Sequence, residues 1–196
     1  MAIAVEGLDY LYFLLSQLDG PLEFEGIQLW NFMDVGLVRW LEGFRKMGGF
    51  ETIRGLGIIR DAEGNSVNTI ASVRAALANS GYPAPDGPMQ VEIEGGLAVG
   101  YLVMPHGANA GCLEDACLPA VKAGSPMDCV EAFARCVDKP EKNNNWRAKV
   151  KVHSIIAASD QPYLTLGESA KSNIWDFANP SLSVMLSFIR QVRDAH

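Results

Sequence analysis

The first seven residues constrain the fold more than any other stretch of the chain. Ala2 to Val5 is an apolar run about as long as a short strand, and Glu6 and Gly7 end it before a helical pattern begins at Asp9. A carboxylate at the end of a buried strand, followed by glycine and a helix, is typical of the ligand-binding edge of an open α/β sheet. Because a charge is seldom placed at a strand end alone, we expect Glu6 to face a partner.

A second unit of the same form lies further along the chain. Residues 56–59 have the apolar pattern of a buried strand, and Asp61, Glu63 and Gly64 follow it. The hydrophobic spacing of residues 66–80 then predicts a helix. Two units of strand, acid, glycine and helix indicate a parallel sheet whose strand ends share one edge.

The remaining hydrophobic patterns complete the prediction of an α/β fold. Further strands are predicted at 27–32, 89–94 and 98–104, and further helices at 9–18, 35–47, 112–121, 146–159 and 180–195. This alternation predicts a mostly parallel central sheet of about four to five strands with helices on both faces. Because no repeat or low-complexity linker interrupts the chain, we expect a single domain over 1–196, with 125–196 a helical extension packed on it.

The charge balance limits what the chain binds. The 196 residues carry a formal net charge of -7, and the pI is about 4.9. This balance argues against a broad basic platform for duplex DNA and is compatible with a site that recruits a divalent cation. No stretch reaches the roughly 18 uncharged apolar residues of a membrane span, and the start lacks the basic region of a signal peptide. We therefore expect a cytoplasmic protein that does not enter a membrane.

The acids at the strand ends predict a metal site. A third acidic pair, Glu114 and Asp115, opens a predicted helix, and Glu6 is expected within several ångströms of Asp61. Carboxylates this close raise each other's pKa unless a cation lies between them, and Mg²⁺ prefers oxygen ligands. The predicted ligands of Mg²⁺ (or Mn²⁺) are Glu6, Asp61, Glu63, Glu114 and Asp115. Alternatively, the pair Glu114 and Asp115 only stabilises the first turn of its helix.

These motifs resemble the Toprim domain, which occurs in primases, topoisomerases, RecR-type repair proteins and overcoming-lysogenisation-defect (OLD) nucleases. The signature of that domain is a glutamate after the first strand and an Asp-x-Asp after a later strand. More closely, the chain resembles a family of small stand-alone bacterial Toprim-like proteins of unknown function. The matching landmarks are Val5-Glu6-Gly7-Leu8-Asp9, Asp61-Ala62-Glu63, Met104-Pro105, Gly111-Cys112-Leu113-Glu114-Asp115, Lys149 to His153 and Leu164-Thr165-Leu166-Gly167.

The resemblance implies a Toprim-like fold and a role for each acid. Glu6 matches the glutamate that acts as a general acid/base or as a metal ligand. Asp61 and Glu63 match the two metal-binding positions. Glu114 and Asp115 match the additional acidic pair of the closer family. The implied function is a Mg²⁺-dependent nuclease or phosphotransferase that acts on phosphodiester or phosphate ester bonds of nucleic acid, with Glu6, Asp61 and Glu63 as catalytic residues.

The acidic pI and the lack of a basic groove favour an alternative, and two residues depart from the signature. Tyr10 stands where the first motif usually has a second aspartate, and Glu63 is one methylene longer than the usual aspartate. The alternative is a non-catalytic Toprim-like binding or adaptor module in a defence or repair assembly. A regulatory binder of a nucleotide-like ligand is a third hypothesis, and both a protein partner and a homo-oligomer are compatible with the sequence.

Three basic residues are candidates for phosphate contact. Arg60 is next to Asp61 and is expected either to pair with that carboxylate or to contact phosphate. Lys149 and His153 are four residues apart on a predicted helix and therefore share a face. The alternative for this helical pair is an ordinary solvated surface.

The four cysteines do not have the spacing of a metal site. No pair shows the C-x-x-C pattern that is usual for zinc, and the histidines are far apart in the sequence. We therefore predict small buried core thiols, with a zinc site as the alternative. The cysteines are Cys112, Cys117, Cys129 and Cys136.

Overall fold

A five-stranded sheet organises the chain in a computed structural model, which describes residues 1–18, 24–139 and 144–195. The strand order is β2-β1-β3-β5-β4, and every pairing is parallel except that of β4 with β5. The strands are β1 (Ala2–Val5), β2 (Gln28–Asn31), β3 (Gly55–Asp61), β4 (Val91–Glu94) and β5 (Leu97–Met104). The predicted α/β fold with a mostly parallel sheet is therefore confirmed.

Eight α-helices of the described residues cover this sheet. They are α1 (Leu8–Leu18), α2 (Leu37–Arg45), α3 (Ser66–Asn79), α4 (Leu113–Cys117), α5 (Met127–Cys136), α6 (Asn144–Ala157), α7 (Leu166–Ser169) and α8 (Pro180–Arg193). The helix predicted at 112–121 is shorter than expected, because Pro119 has no N–H to continue it, and a 3₁₀ turn follows at Leu118–Ala120. Within the described ranges, no helix has both the length and the apolar character needed to cross a membrane.

The two faces of the sheet carry separate hydrophobic cores. Side chains alternate along β1, so that Ile3 and Val5 pack with α1 and the later helices, whereas Ala2 and Ala4 pack with α2 and α3. The chain therefore leaves β1 towards one face and leaves the neighbouring β3 towards the other. This arrangement opens a crevice at the C-terminal ends of β1 and β3, which is where open α/β sheets bind ligands.

Two neighbouring glycines of the sheet leave room for an aromatic ring of the last helix. Gly57 on β3 and Gly100 on β5 are register partners, and the Phe188 ring of α8 lies against both. A Cβ at either glycine would come within 3.1 Å of a ring carbon of Phe188. The ring is fully buried in the space that these glycines leave. The C-terminal helix is therefore anchored in the core of the sheet.

We expect Phe188→Ala to lower the free energy of unfolding by about 3–5 kcal/mol. The substitution leaves a cavity against the backbones of β3 and β5, and these backbones cannot collapse into it. Chemical denaturation monitored by circular dichroism measures this change. Phe133→Ala is the matched control, since Phe133 is 51% exposed on α5, and it should change stability by less than about 0.5 kcal/mol. Equal effects of the two substitutions would contradict this packing.

Candidate acidic site at the sheet edge

A cavity of about 500 Å³ opens at the crevice between β1 and β3. Four of the five acids predicted from the sequence line it, together with one lysine. They are Glu6, Asp61, Glu63, Glu114 and Lys149. The acids come from three separate segments, so the fold brings together residues that are more than one hundred positions apart in the sequence.

Glu6 has an arginine as its immediate partner. Its side chain lies on the same face of the sheet as Ala4, and the parallel register of β1 and β3 brings it beside Arg60. The Arg60 Nε donates to the Glu6 Oε2 at 3.0 Å, and both side chains are about one-quarter exposed, at 24% and 22%. From the sequence we expected Arg60 to pair with Asp61 or to contact phosphate. The pairing with Glu6 arises because neighbouring positions on parallel strands share a face, whereas consecutive positions on one strand do not.

Asp61 continues the opposite face of the sheet and meets α1. The buried Tyr10 hydroxyl donates a hydrogen bond to the Asp61 Oδ1. Burial, together with the Asp61 charge, raises the pKa of Tyr10 well above 10, so the phenol stays a donor at neutral pH. Tyr10, one of the two residues that depart from the Toprim signature, is therefore the one that holds Asp61.

Asp61 retains its proton to an unusually high pH. Burial is the main cause and raises the pKa of this carboxyl from 3.8 to about 8, while the hydrogen bond from Tyr10 opposes the shift. Three neighbouring carboxylates raise the pKa further, namely Glu114, Glu63 and Glu6. Their charges act on Asp61 because they lie close to it, so the acids of the cavity form one electrostatic unit.

Glu63 is held by its backbone in a conformation that is uncommon for a residue other than glycine. Its φ is +53°, in the left-handed region. Glu63 and Gly111 exchange two backbone hydrogen bonds of 2.8 Å, and this bridge brings the loop after β3 against the start of α4. The Asn145 side chain donates to the Glu63 Oε2 at 3.1 Å. The backbone bridge thus places Glu63 near Glu114.

Glu114 is the most deeply buried acid of the cavity. Its side chain is 9% exposed, and its nearest ion-pair partner is the Lys149 Nζ of α6 at 3.9 Å. A separation of 3.9 Å is too long for a hydrogen bond. A carboxylate buried to this extent favours a closer counter-charge.

Three of the eight predicted site residues do not line the cavity, and Arg60, which pairs with Glu6 beside it, is one of them. The Asp115 Oδ2 accepts from the Cys112 backbone N–H at 3.0 Å and caps α4, so Asp115 does not line the cavity. This is the helix-start role that the sequence left open for it. His153 is exposed on α6, also outside the cavity, although it shares a helix with Lys149.

The cysteine prediction is half wrong. Cys112 and Cys117 are buried, and burial raises the pKa of both thiols, but Cys129 and Cys136 are exposed on α5. These two cysteines are seven residues apart and share one face of α5, and that face lies towards solvent. All four are free thiols.

Sequence reasoning missed two amide side chains that organise the site. The Asn31 Oδ1 accepts from the backbone N–H groups of Gly7 and Met33, each at 3.0 Å, and so joins the ends of β1 and β2. Asn145 contacts Glu63 and lies four residues before Lys149, on the same face of α6. The i, i+4 spacing of Asn145 and Lys149 was the available signal for this second residue.

The donor types fit a hard divalent cation, since they are carboxylate oxygens around a deep, partly buried carboxyl group. As the side chains lie, however, no three His, Cys, Asp or Glu residues of the described ranges are arranged to hold a metal ion. Glu6 is turned to Arg60 and Asp61 to Tyr10. A cation would therefore have to draw at least one of these carboxylates away from its present partner.

The raised pKa of Asp61 predicts a characteristic dependence of stability on pH. An aspartate in the unfolded chain loses its proton near pH 4, whereas folded Asp61 keeps it to about pH 8. Between these values the folded state binds the extra proton, so this group makes the free energy of unfolding fall with pH, by up to about 1.4 kcal/mol per unit. Asp61→Asn should remove that fall.

Denaturant unfolding in the presence of a chelator, at half-unit steps from pH 4 to 9, measures this effect. The stability of Asp61→Asn relative to the wild type should grow up to about pH 8 and then level off. The matched control is Asp128→Asn on the exposed face of α5, which should parallel the wild type. A constant difference between Asp61→Asn and the wild type would show that Asp61 titrates normally.

The left-handed backbone of Glu63 gives a second stability prediction. Glu63→Gly and Glu63→Ala remove the same carboxylate, but only alanine retains a Cβ that disfavours a φ of +53°. We expect the glycine variant to be more stable than the alanine variant by about 1 kcal/mol in thermal unfolding. An alanine variant of equal or greater stability would contradict the strained backbone.

Comparison with known proteins assigns the chain to a family. The family model "Protein of unknown function (DUF3226)" matches residues 41–194, which is well over half of the chain. The match includes Asp61, Glu63 and Glu114 and leaves out Glu6. No curated protein and no solved structure matches the chain. The chain belongs to the DUF3226 family.

Proposed function

We propose that the chain binds Mg²⁺ (or Mn²⁺) in the acidic cavity and acts on phosphodiester or phosphate ester bonds of nucleic acid. The observation that carries this proposal is the set of four predicted acids from three segments around one crevice, where burial and, to a smaller extent, the negative charges of its neighbours raise the pKa of Asp61 to about 8. A cation would relieve that repulsion. The resemblance to the Toprim domain supplies the class of reaction, a metal-dependent nuclease or phosphotransferase.

The residues of the cavity suggest a division of roles. Asp61, Glu63 and Glu114 would hold the cation, while Lys149 at the entrance would contact the phosphate. Bound Mg²⁺ supplies positive charge that orients a phosphate and stabilises its transition-state charge. Glu6 is the candidate general base, because Arg60 fixes the direction of its carboxylate without burying it. Asp115 is not among these proposed ligands, because its carboxylate caps α4.

A second function is favoured by the present partners of two acids. Tyr10 hydrogen-bonds Asp61 and Arg60 pairs with Glu6, so both carboxylates are satisfied without a cation. A protein that kept the fold but lost the chemistry would show such internal partners. The second candidate is therefore a non-catalytic binding or adaptor module in a defence or repair assembly.

Isothermal titration calorimetry with MgCl₂ and MnCl₂ tests the cation site. We expect one site per chain, with affinity lowered at least tenfold in Glu114→Gln, which replaces a charged carboxylate by a neutral amide, and in Asp61→Ala, which removes a carboxylate. Glu92→Gln on the exposed β4 strand is the matched control and should bind as the wild type does. Absence of heat with both metals, or equal affinity in all variants, would refute the site.

Hydrolysis assays separate the two candidate functions. A labelled single strand and a labelled duplex are incubated with the wild type and with Glu6→Gln, each with Mn²⁺ or with chelator. Metal-dependent cleavage that Glu6→Gln reduces at least a hundredfold supports the enzyme, since general acid/base groups contribute about 10²–10⁴-fold. Metal binding without any cleavage supports the adaptor.

A further inference from the structure

The entrance of the acidic cavity carries three exposed apolar side chains. Leu8 is 57% exposed, Tyr12 is 46% exposed and Met33 is 65% exposed, and all three line the same cavity as the carboxylates. We call these three residues the apolar rim. Large apolar side chains clustered in solvent beside a charged cavity are typical of a binding surface.

Backbone contacts hold the apolar rim in place. Met33 is fixed because its N–H donates to the Asn31 Oδ1, which also accepts from the Gly7 N–H. The Met33 sulfur lies 3.6 Å from the position that a Cβ on Gly7 would occupy. Its side chain therefore lies over the loop that leads from Glu6 into α1.

Tyr12 is held from the other side of the cavity. It lies one turn after Leu8 on α1 and so shares its face. The Tyr12 Cβ lies 2.9 Å from the position of a Cβ on Gly167, so α7 packs directly against its stem. The Asp9 Oδ1 accepts from the Gly167 N–H at 2.9 Å and ties α1 to α7 at this point. The ring of Tyr12 is thus presented by two packed helices.

The distribution of charge indicates what this rim binds. The chain carries a net charge of -7, and Lys149 is the one basic residue among the described residues that line the cavity. Attraction of phosphates to a basic surface is therefore a poor source of affinity. Stacking of a base on an aromatic ring depends little on charge and contributes substantially to the binding of single strands. Inside a duplex the faces of the bases are covered by stacking on their neighbours, whereas an unpaired base offers both faces to such a rim.

We propose that the apolar rim receives an unpaired nucleobase, so that the acidic site acts on single-stranded segments or frayed ends rather than on intact duplex. This inference rests on the proposed action on nucleic acid. The base packs against Tyr12, Leu8 and Met33, and the phosphate that follows it lies over the carboxylates and Lys149. Affinity then comes from the base. Because a base must be unpaired before it reaches the rim, single-stranded segments and frayed ends bind more tightly than intact duplex.

Fluorescence anisotropy with three labelled probes of equal length tests the proposal, in Ca²⁺ to limit cleavage. The probes are a single strand, the same sugar–phosphate strand without bases, and a blunt duplex. We expect the single strand to bind about tenfold more tightly than the abasic strand or the duplex. Tyr12→Ala should weaken single-strand binding about tenfold, and Tyr12→Phe should retain it, because phenylalanine keeps the ring.

Two further variants complete the design. Tyr163→Ala is the matched control, since Tyr163 is 77% exposed but does not line the cavity, and it should bind as the wild type does. Met33→Ala is a second variant of the rim and should weaken binding even if Tyr12→Ala folds poorly. Circular dichroism melting verifies the fold of each variant.

Several results would overturn the proposal. Equal binding of the single and abasic strands, no binding of any strand, or equal binding by Tyr12→Ala and Tyr12→Phe would each exclude a base on the rim. A dimer in light scattering that Tyr12→Ala abolishes would assign the rim to a second copy of the chain. If calorimetry detects no cation but the ring-dependent binding persists, the proposed function fails and the nucleobase site stands. If cation binding is normal and the ring has no effect, this inference alone fails.

Discussion

The parallel pairing of β1 with β3 determines the chemistry of the acidic site. Val5 lies opposite Ile59, so the next residues of the two strands come side by side and Glu6 meets Arg60. One position further along β3, the side chain of Asp61 turns to the other face and meets Tyr10. A slip of one residue in this register would move each side chain to the other face of the sheet. It would break both the Glu6–Arg60 and the Asp61–Tyr10 contacts.

The site consequently contains its own counter-groups. Arg60 supplies a positive charge to Glu6, and Tyr10 supplies a hydrogen bond to Asp61, which remains protonated to about pH 8. Glu114 is buried, and the nitrogen of its lysine partner, Lys149, is 3.9 Å away. A cation bound beside Glu114 would bring a positive charge closer than Lys149 does, and a buried carboxylate gains from a close counter-charge.

The sequence predicted the sheet and the approach of the acids. Both depend on the spacing of apolar residues and on the order of strands and helices along the chain. Apolar runs that end in acid and glycine marked β1 and β3 correctly. Side-chain direction was harder, because adjacent positions of a strand face opposite ways and the partner of Arg60 depends on inter-strand register. The exposure of Cys129 and Cys136 was missed for a related reason, since helical spacing defines a face without indicating what covers it. Asp115 satisfied a local helix start, which competed with the predicted metal role.

The most direct measurement of the central claim is anomalous diffraction from crystals grown with Mn²⁺. We expect a single strong peak in the acidic cavity within about 2.5 Å of carboxylate oxygens of Asp61, Glu63 or Glu114, since divalent cations hold oxygen ligands at such distances. The hydrogen bond from Tyr10 to Asp61 should be broken or lengthened in the same crystals. Saturating Mn²⁺ with no peak in the cavity, and with the Tyr10 and Arg60 contacts unchanged, would contradict the account.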